Sequence, residues 1–291
     1  MRYATVEVQG RPCVAEVRHD GTLVAVRGGR DATLSDLIVL EPDARTAALA
    51  TAPGAAPLPA DARVLAPLRP ASIVCIGLNY RDHVRESGQP APKVPLVFTK
   101  LRTTVIGPGD AIEIDPEVTR QVDWEVELAV VIGARARDVA ADTALDHVFG
   151  YTVANDISAR DVQFSDGQWV RGKSLDTFCP LGPSVVTADE VGDPQALRLS
   201  TRVNGDAVQS SSTSEMVFSV AALVSFCSRS FTLLPGDLLL TGTPWGCGAF
   251  MDPPRFLAGG DTVETEVERI GVLRNPVVVR PERRGPPHRP S

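Results

Sequence analysis

What the chain lacks narrows its class before anything it contains. The longest unbroken aliphatic run, Leu128–Ile132, falls far short of the roughly 20 residues that cross a bilayer as a helix. The opening Met-Arg-Tyr-Ala-Thr-Val-Glu is too polar and charged for the apolar core of a secretory leader. Positive charge is not in surplus: the formal net charge is −7, which argues against a nucleic-acid binder built on phosphate contacts. Five cysteines (Cys13, Cys75, Cys179, Cys227, Cys247) are odd in number and show no CxxC spacing. Neither a zinc site nor a disulfide framework is therefore expected, and free thiols fit a reducing cytoplasm. No period of roughly 20–50 residues is visible, which removes solenoids and propellers.

Glycine and proline are plentiful, 24 of each, and favour turns and short strands over long helices. Thr5–Val8 and Val14–Val17 carry strand formers, and His19-Asp20-Gly21 follows as a hairpin-type turn. Gly109-Asp110, Gly236-Asp237 and Gly260-Asp261 each precede an apolar or alternating stretch, as a tight turn feeding a strand does. Asn204-Gly205 is a further hairpin signal. Helices are fewer. Asp82–Glu86 is one short candidate, and Ser214–Cys227 has helical apolar spacing with Ser214 as N-cap. The chain reads as a β-rich α+β protein. Its parts are a small N-terminal domain and linker over 1–66, a catalytic domain over 67–279, and a Pro- and Arg-rich disordered tail over 280–291.

The most informative stretch is Val122–Ile132. Its even positions are all apolar, while the odd ones run Asp123, Glu125, Glu127 and then Ala129, Val131. On a strand, Glu125 and Glu127 share a face, about 7 Å apart. Such a pair faces water, shares a proton or binds a cation. The same face turns apolar at Ala129 and so enters the core, where unpaired carboxylates are costly. Tyr151–Asp156 is a second strand-like run ending in a carboxylate. Glu, Glu and Asp are oxygen-only donors, which suit Mg²⁺ or Mn²⁺ and disfavour Zn²⁺.

At this point the residues resemble the fumarylacetoacetate hydrolase superfamily, in its bacterial acylpyruvase and 2-hydroxyhepta-2,4-diene-1,7-dioate isomerase-like branch. The matching segments are Cys75–His83, Asp123–Ala129, Gly150–Asp161, Gly172–Phe178 and Thr241–Gly248, in family order over about two thirds of the chain. The resemblance implies a fold of bent, mixed β-sheets, metal-dependent chemistry on 2-oxo acids and 1,3-dicarbonyl compounds, and a homodimer. It implies that Glu125, Glu127 and Asp156 are metal ligands and that Lys173 is the active-site lysine of the Gly-Lys-Ser motif. It also places Arg160, Gln163 and Thr243 at the substrate, and His83 and Glu86 as a dyad on a lid helix. Tyr80 and Arg81 are further candidates for substrate contact. Cys247 departs from the pattern, standing where an aliphatic residue is usual, and no function attaches to it.

His83 and Glu86 are three apart and share a helix face, so the carboxylate can orient the imidazole as a general base. That favours C–C hydrolysis of an acylpyruvate or fumarylpyruvate. The alternatives are tautomerisation or isomerisation of a 2-oxo (di)acid, and decarboxylation, for example of oxaloacetate. A catalytically silent carboxylate-binding scaffold is the remote alternative. Specificity is expected from the loops Asp115–Gln121, Phe164–Arg171 and Ala249–Leu257.

Overall fold

The computed structural model describes residues 1–281. Its strands form an eleven-stranded mixed sheet, a five-stranded sheet and a two-stranded ribbon. Along the main path of the large sheet the order is Leu23–Arg30, Arg11–Val17, Arg2–Val8, Cys179–Thr187, Val148–Asn155, Val126–Ile132, Leu238–Leu240, Ile73–Gly77 and Leu96–Lys100. Neighbours on this path run antiparallel except Leu238–Leu240, which is parallel to Ile73–Gly77. Register shifts at Val131/Ile132 and Tyr151/Val153 mark bulges that bend the strands. The class is the β-rich α+β arrangement expected from the sequence.

The strand Val126–Ile132 lies inside this sheet and every one of its residues is buried. Its alternation assigns each face to a different core. Val126, Leu128, Val130 and Ile132 pack in a cluster with Leu223, Val224 and Cys227 of the helix Val220–Ser230. Ala129 and Val131 face the opposite way, among Cys75, Leu181 and Leu238 and the N-terminal side chains Tyr3, Val14 and Leu34. Glu127 belongs by parity to this second face.

The Gly-Asp turns feed strands at Ile112–Ile114, Leu238–Leu240 and Thr262–Val267. Asn204 and Gly205, both at positive φ, join Arg198–Val203 to Asp206–Ser212 as the hairpin signal predicts. Residues 1–66 add four strands to the large sheet, three on its main path and Val64–Leu65 beside Arg2–Val8, with Arg2 opposite Val186 and Tyr3 opposite Val185. At the other end, the Arg280 N–H donates to the Ile114 carbonyl at 2.8 Å and its guanidinium meets Glu113 at 2.6 Å. The expected tail therefore begins later than 280, and its remainder from 282 lies outside the described residues.

One helix boundary differs from expectation. Thr213–Glu215 is a single 3₁₀ turn capped by Ser212, and the long helix starts only at Val220, with the Ser219 hydroxyl accepting from the Ala222 N–H. Asn79 explains the delay. Its carbonyl accepts from Val217 N–H at 2.7 Å and its side-chain oxygen from Phe218 N–H at 2.9 Å, so those donors are engaged across the chain rather than in a helix. No helix among the described residues is long and apolar enough to cross a membrane.

Because Leu128 is fully buried where the central strand meets the long helix, Leu128→Ala should destabilise the protein by about 3 kcal/mol. Denaturant unfolding checks this; a loss below about 1 kcal/mol would show that the core collapses around the deletion.

Candidate active site

The acidic segment is not one continuous strand. Its ladder breaks at Trp124–Glu125, so that Val122–Asp123 pairs with Ser158–Ala159 in the ribbon while Val126–Ile132 stays in the large sheet. Asp123 and Gln209 hold the break. The Asp123 carboxylate accepts from the N–H groups of Trp124, Gly248 and Ala249, and the Gln209 side chain accepts from Val126 N–H at 3.0 Å. Beyond the break, Val126 lies opposite Asn155, which brings Glu125 beside Asp156. The Asp156 N–H donates to the Glu125 carbonyl at 2.9 Å, and the Asn155 side chain accepts from Glu125 N–H at 2.9 Å. The carboxylates of Glu125, Glu127 and Asp156 are thus buried with ligand oxygens within 4.8 Å of one another.

Three buried cations surround them. Lys173 Nζ donates to Glu125 at 2.7 Å and to Asp156 at 2.9 Å. Lys100 Nζ lies 2.6 Å from the other Asp156 oxygen. Arg160 Nη2 forms an ion pair with Glu125 at 2.7 Å, though without the alignment of a hydrogen bond, while its Nε donates to Asp123 at 2.8 Å. Glycine permits this crowding: a Cβ on Gly172 would sit 2.7 Å from the Gln163 nitrogen, so the helices Arg160–Asp166 and Val170–Lys173 pack backbone against backbone and bring Lys173 to the carboxylates.

The charges divide unequally. Burial alone would raise Glu125, but Lys173 and Arg160 outweigh it and hold the carboxyl below its ordinary range. Glu127 goes the other way: burial, then the negative charges of Asp156 and Glu125, push its pKa well above the usual value. Among the described residues its one hydrogen bond comes from Gly242 N–H at 2.7 Å, and no lysine or arginine pairs with it; the nearby Lys173 is engaged with Glu125 and Asp156 instead. Gly242 sits at φ +97°, and a Cβ there would come within 2.9 Å of Asn79, so the turn that aims this N–H needs glycine.

A cleft with about 560 Å³ of empty space, part of it open to solvent, leads down to this cluster. Glu125, Glu127, Arg160, Gln163, Lys173, Thr243 and His83 line it. The His83 Nδ1 is 2.9 Å from Glu86 Oε2, and the other Glu86 oxygen accepts from Gly246 N–H at 2.8 Å. Phe250 stands edge-on to the His83 ring, centroids 5.4 Å apart. Of the loops expected to shape the cleft, two reach it, through Phe164, Trp169 and Phe250; Asp115–Gln121 does not, and its Thr119 instead bonds Asp161.

Tyr80 and Arg81 stand off the cleft lining, because the helix Arg81–Ser87 turns Asp82 and His83 inward and Arg81 outward. Arg81 is exposed and donates to the Ser214 carbonyl at 3.1 Å. Tyr80 is wholly buried, its phenol pKa raised by burial and by the charge of Glu127. Sequence reasoning overlooked Lys100 and gave no role to Asp123 or Gln209. Lys100 ends an otherwise apolar, strand-forming run, which is the signal that could have found it. Gln209 carries no such mark; its side chain donates to the Thr243 hydroxyl at 3.0 Å only because the hairpin brings it there.

The donor set fits a hard divalent cation: three convergent carboxylates, all oxygen, of which Glu127 has no lysine or arginine partner among the described residues. The fold and this carboxylate-floored cleft define a chain of the fumarylacetoacetate hydrolase class. Residues 72–278 match the family described as Fumarylacetoacetate (FAA) hydrolase C-terminal, and the chain belongs to that family. It is 50% identical over 218 residues to the mitochondrial oxaloacetate tautomerase fahd2 of Xenopus laevis, covering 74% of this chain and 68% of that protein. The structure of a fumarylacetoacetate hydrolase from psychrophilic Exiguobacterium antarcticum superposes with TM-score 0.87 at 38% identity, covering 96% of this chain and 100% of the other. A 2-hydroxyhepta-2,4-diene-1,7-dioate isomerase from Mycobacterium marinum gives 0.78 at 38% identity, covering 97% and 100%.

Glu127 sets a pH signature. Its raised pKa means the metal-free folded state holds a proton that the unfolded state has released, so its stabilising contribution is present at low pH and lost as pH rises through the shifted pKa. A cation must displace that proton. Mn²⁺ affinity should therefore rise with pH, by up to about tenfold per unit below the shifted pKa. Titration calorimetry in buffers of different ionisation enthalpy reads the proton directly; pH-independent affinity with no proton release would contradict this assignment.

Proposed function

We propose that the chain is a divalent-metal-dependent tautomerase of 2-oxo acids, acting on an oxaloacetate-like substrate as a homodimer without cleaving its C–C bonds. One observation carries the reading: among the described residues the cleft wall holds a single imidazole, His83, oriented by Glu86 over a floor where Lys173 and Arg160 are engaged with Glu125 and Asp156. That is equipment for moving a proton. The similarity to proteins named oxaloacetate tautomerase and heptadienedioate isomerase supports this reading over the C–C hydrolysis first expected from the His–Glu pair.

When bound at the carboxylate trio, Mg²⁺ or Mn²⁺ would supply positive charge beside the 2-oxo oxygen. Arg160 and Lys173 bring fixed N–H donors and positive charge for the carboxylate of the substrate and for negative charge that develops next to it. Gln163 is held by Arg160 Nη1 at 3.0 Å and Thr243 by Gln209, so both offer pre-oriented neutral contacts. With Nδ1–H of His83 donating to the Glu86 carboxylate, the neutral ring carries its lone pair on Nε2. That nitrogen can take a proton from one position of the substrate and return it to another. Hydrolysis would require in addition a water placed against a distal carbonyl.

His83→Ala should slow enol–keto conversion of oxaloacetate by about 10²–10⁴-fold, and Glu86→Gln by less, because the imidazole remains. Decay of the enol ultraviolet absorbance checks this. A near wild-type rate in His83→Ala would remove the proton-shuttle role, and rapid release of pyruvate from acylpyruvates by the unmodified enzyme would return the reading to hydrolysis.

A further inference from the structure

Cys247 lies directly behind the dyad. Its Sγ, an oxygen of Glu86 and a ring nitrogen of His83 all fall within 4.8 Å of one another. These donors differ in kind from the carboxylate trio: one sulfur, one nitrogen and one oxygen, the set that a thiophilic ion such as Zn²⁺ takes and that Mg²⁺ does not. Tetrahedral coordination at about 2.0–2.3 Å spaces its donors roughly 3.3–3.7 Å apart. From the present arrangement the pair at 2.9 Å must open and the outermost donors, within 4.8 Å, must close to reach that spacing. Among the described residues Glu86 has no lysine or arginine at ion-pair distance, only His83, so its carboxylate stays available to a cation. The thiol itself is loosely held: its nearest polar contacts are the Pro244 carbonyl at 3.9 Å and the Gln209 amide at 4.0 Å. His83 lines the cleft, and Cys247 lies fully buried behind it.

We propose that Cys247, His83 and Glu86 form a second metal site, selective for thiophilic divalent ions, whose occupation silences the dyad. Binding releases the thiol proton to solvent, leaves a thiolate–metal bond and takes His83 and Glu86 away from each other. An ion there stops turnover without displacing Mg²⁺ or Mn²⁺ from the carboxylates. Inhibition rests on the tautomerase reading; occupancy of the site does not.

The test uses full-length enzyme in saturating Mg²⁺, titrated with Cd²⁺ while the ultraviolet thiolate-to-metal absorbance is recorded, and with Zn²⁺ while turnover is recorded. The expected result is one thiolate-bound Cd²⁺ per chain and at least tenfold inhibition by Zn²⁺, each measured against the same protein without the added ion. Cys247→Val and Cys247→Ser should both lose the absorbance band and weaken Zn²⁺ inhibition at least tenfold. X-ray absorption at the zinc edge of the unmodified enzyme needs no variant and should show one sulfur among nitrogen and oxygen neighbours. A band that survives in the variants, or a zinc shell of oxygen and nitrogen alone, overturns the site. A band without inhibition leaves the site standing and overturns its control of the dyad.

Discussion

Three carboxylates cannot share a dry pocket without something to neutralise them. With ligand oxygens within 4.8 Å of one another, each like-charged pair costs at least on the order of 3 kcal/mol even at an effective dielectric constant of about 20, before any desolvation is counted. Much of the architecture around the cleft answers that cost. Lys100 closes the edge strand Leu96–Lys100 on one Asp156 oxygen, Lys173 ends a short helix between Asp156 and Glu125, and Arg160 opens another helix between Glu125 and Asp123. Glu127 is left over. With no cation of its own among the described residues, it either keeps a proton or faces a cation from outside, and that choice couples the site to pH and to metal.

The same constraint shapes the backbone. A regular strand from Val122 to Ile132 would place Glu125 and Glu127 on one face but would not bring Asp123 under Arg160. Interrupting the ladder at Trp124–Glu125 achieves both. Asp123 leaves the large sheet to anchor Arg160 and the Gly248–Ala249 turn, while Glu125 stays level with Asp156. That turn leads to Phe250, which packs on His83 and lies 5.9 Å from the Arg160 guanidinium. One buried aspartate thereby links the carboxylate floor to the wall that carries the imidazole.

Much of this was legible in the residues. Alternation correctly put Glu127 on the face that continues into the core at Ala129 and Val131, and the Gly-Asp and Asn-Gly pairs marked real turns, because period and turn chemistry are local properties. What stayed hidden depends on distant partners. The late start of the long helix follows from Asn79, more than 130 positions upstream. The break before Val126 depends on Gln209, a residue ordinary in every local respect. Lys100 reads as the polar end of an edge strand until the sheet delivers Asp156 to it. Local pattern named the donors; only the assembled sheet shows which charges they meet.

The central claim is that Glu127 is a carboxylate reserved for a cation, and thermal unfolding of Glu127→Gln at neutral pH tests it most directly. Glutamine matches the protonated carboxyl in shape and carries no charge. Without metal the variant should be at least as stable as the parent protein. Saturating Mn²⁺, at about a hundredfold excess over Kd, should stabilise the parent by about 2.7 kcal/mol and the variant far less. A variant that is destabilised without metal, yet gains as much from Mn²⁺ as the parent does, would contradict the account.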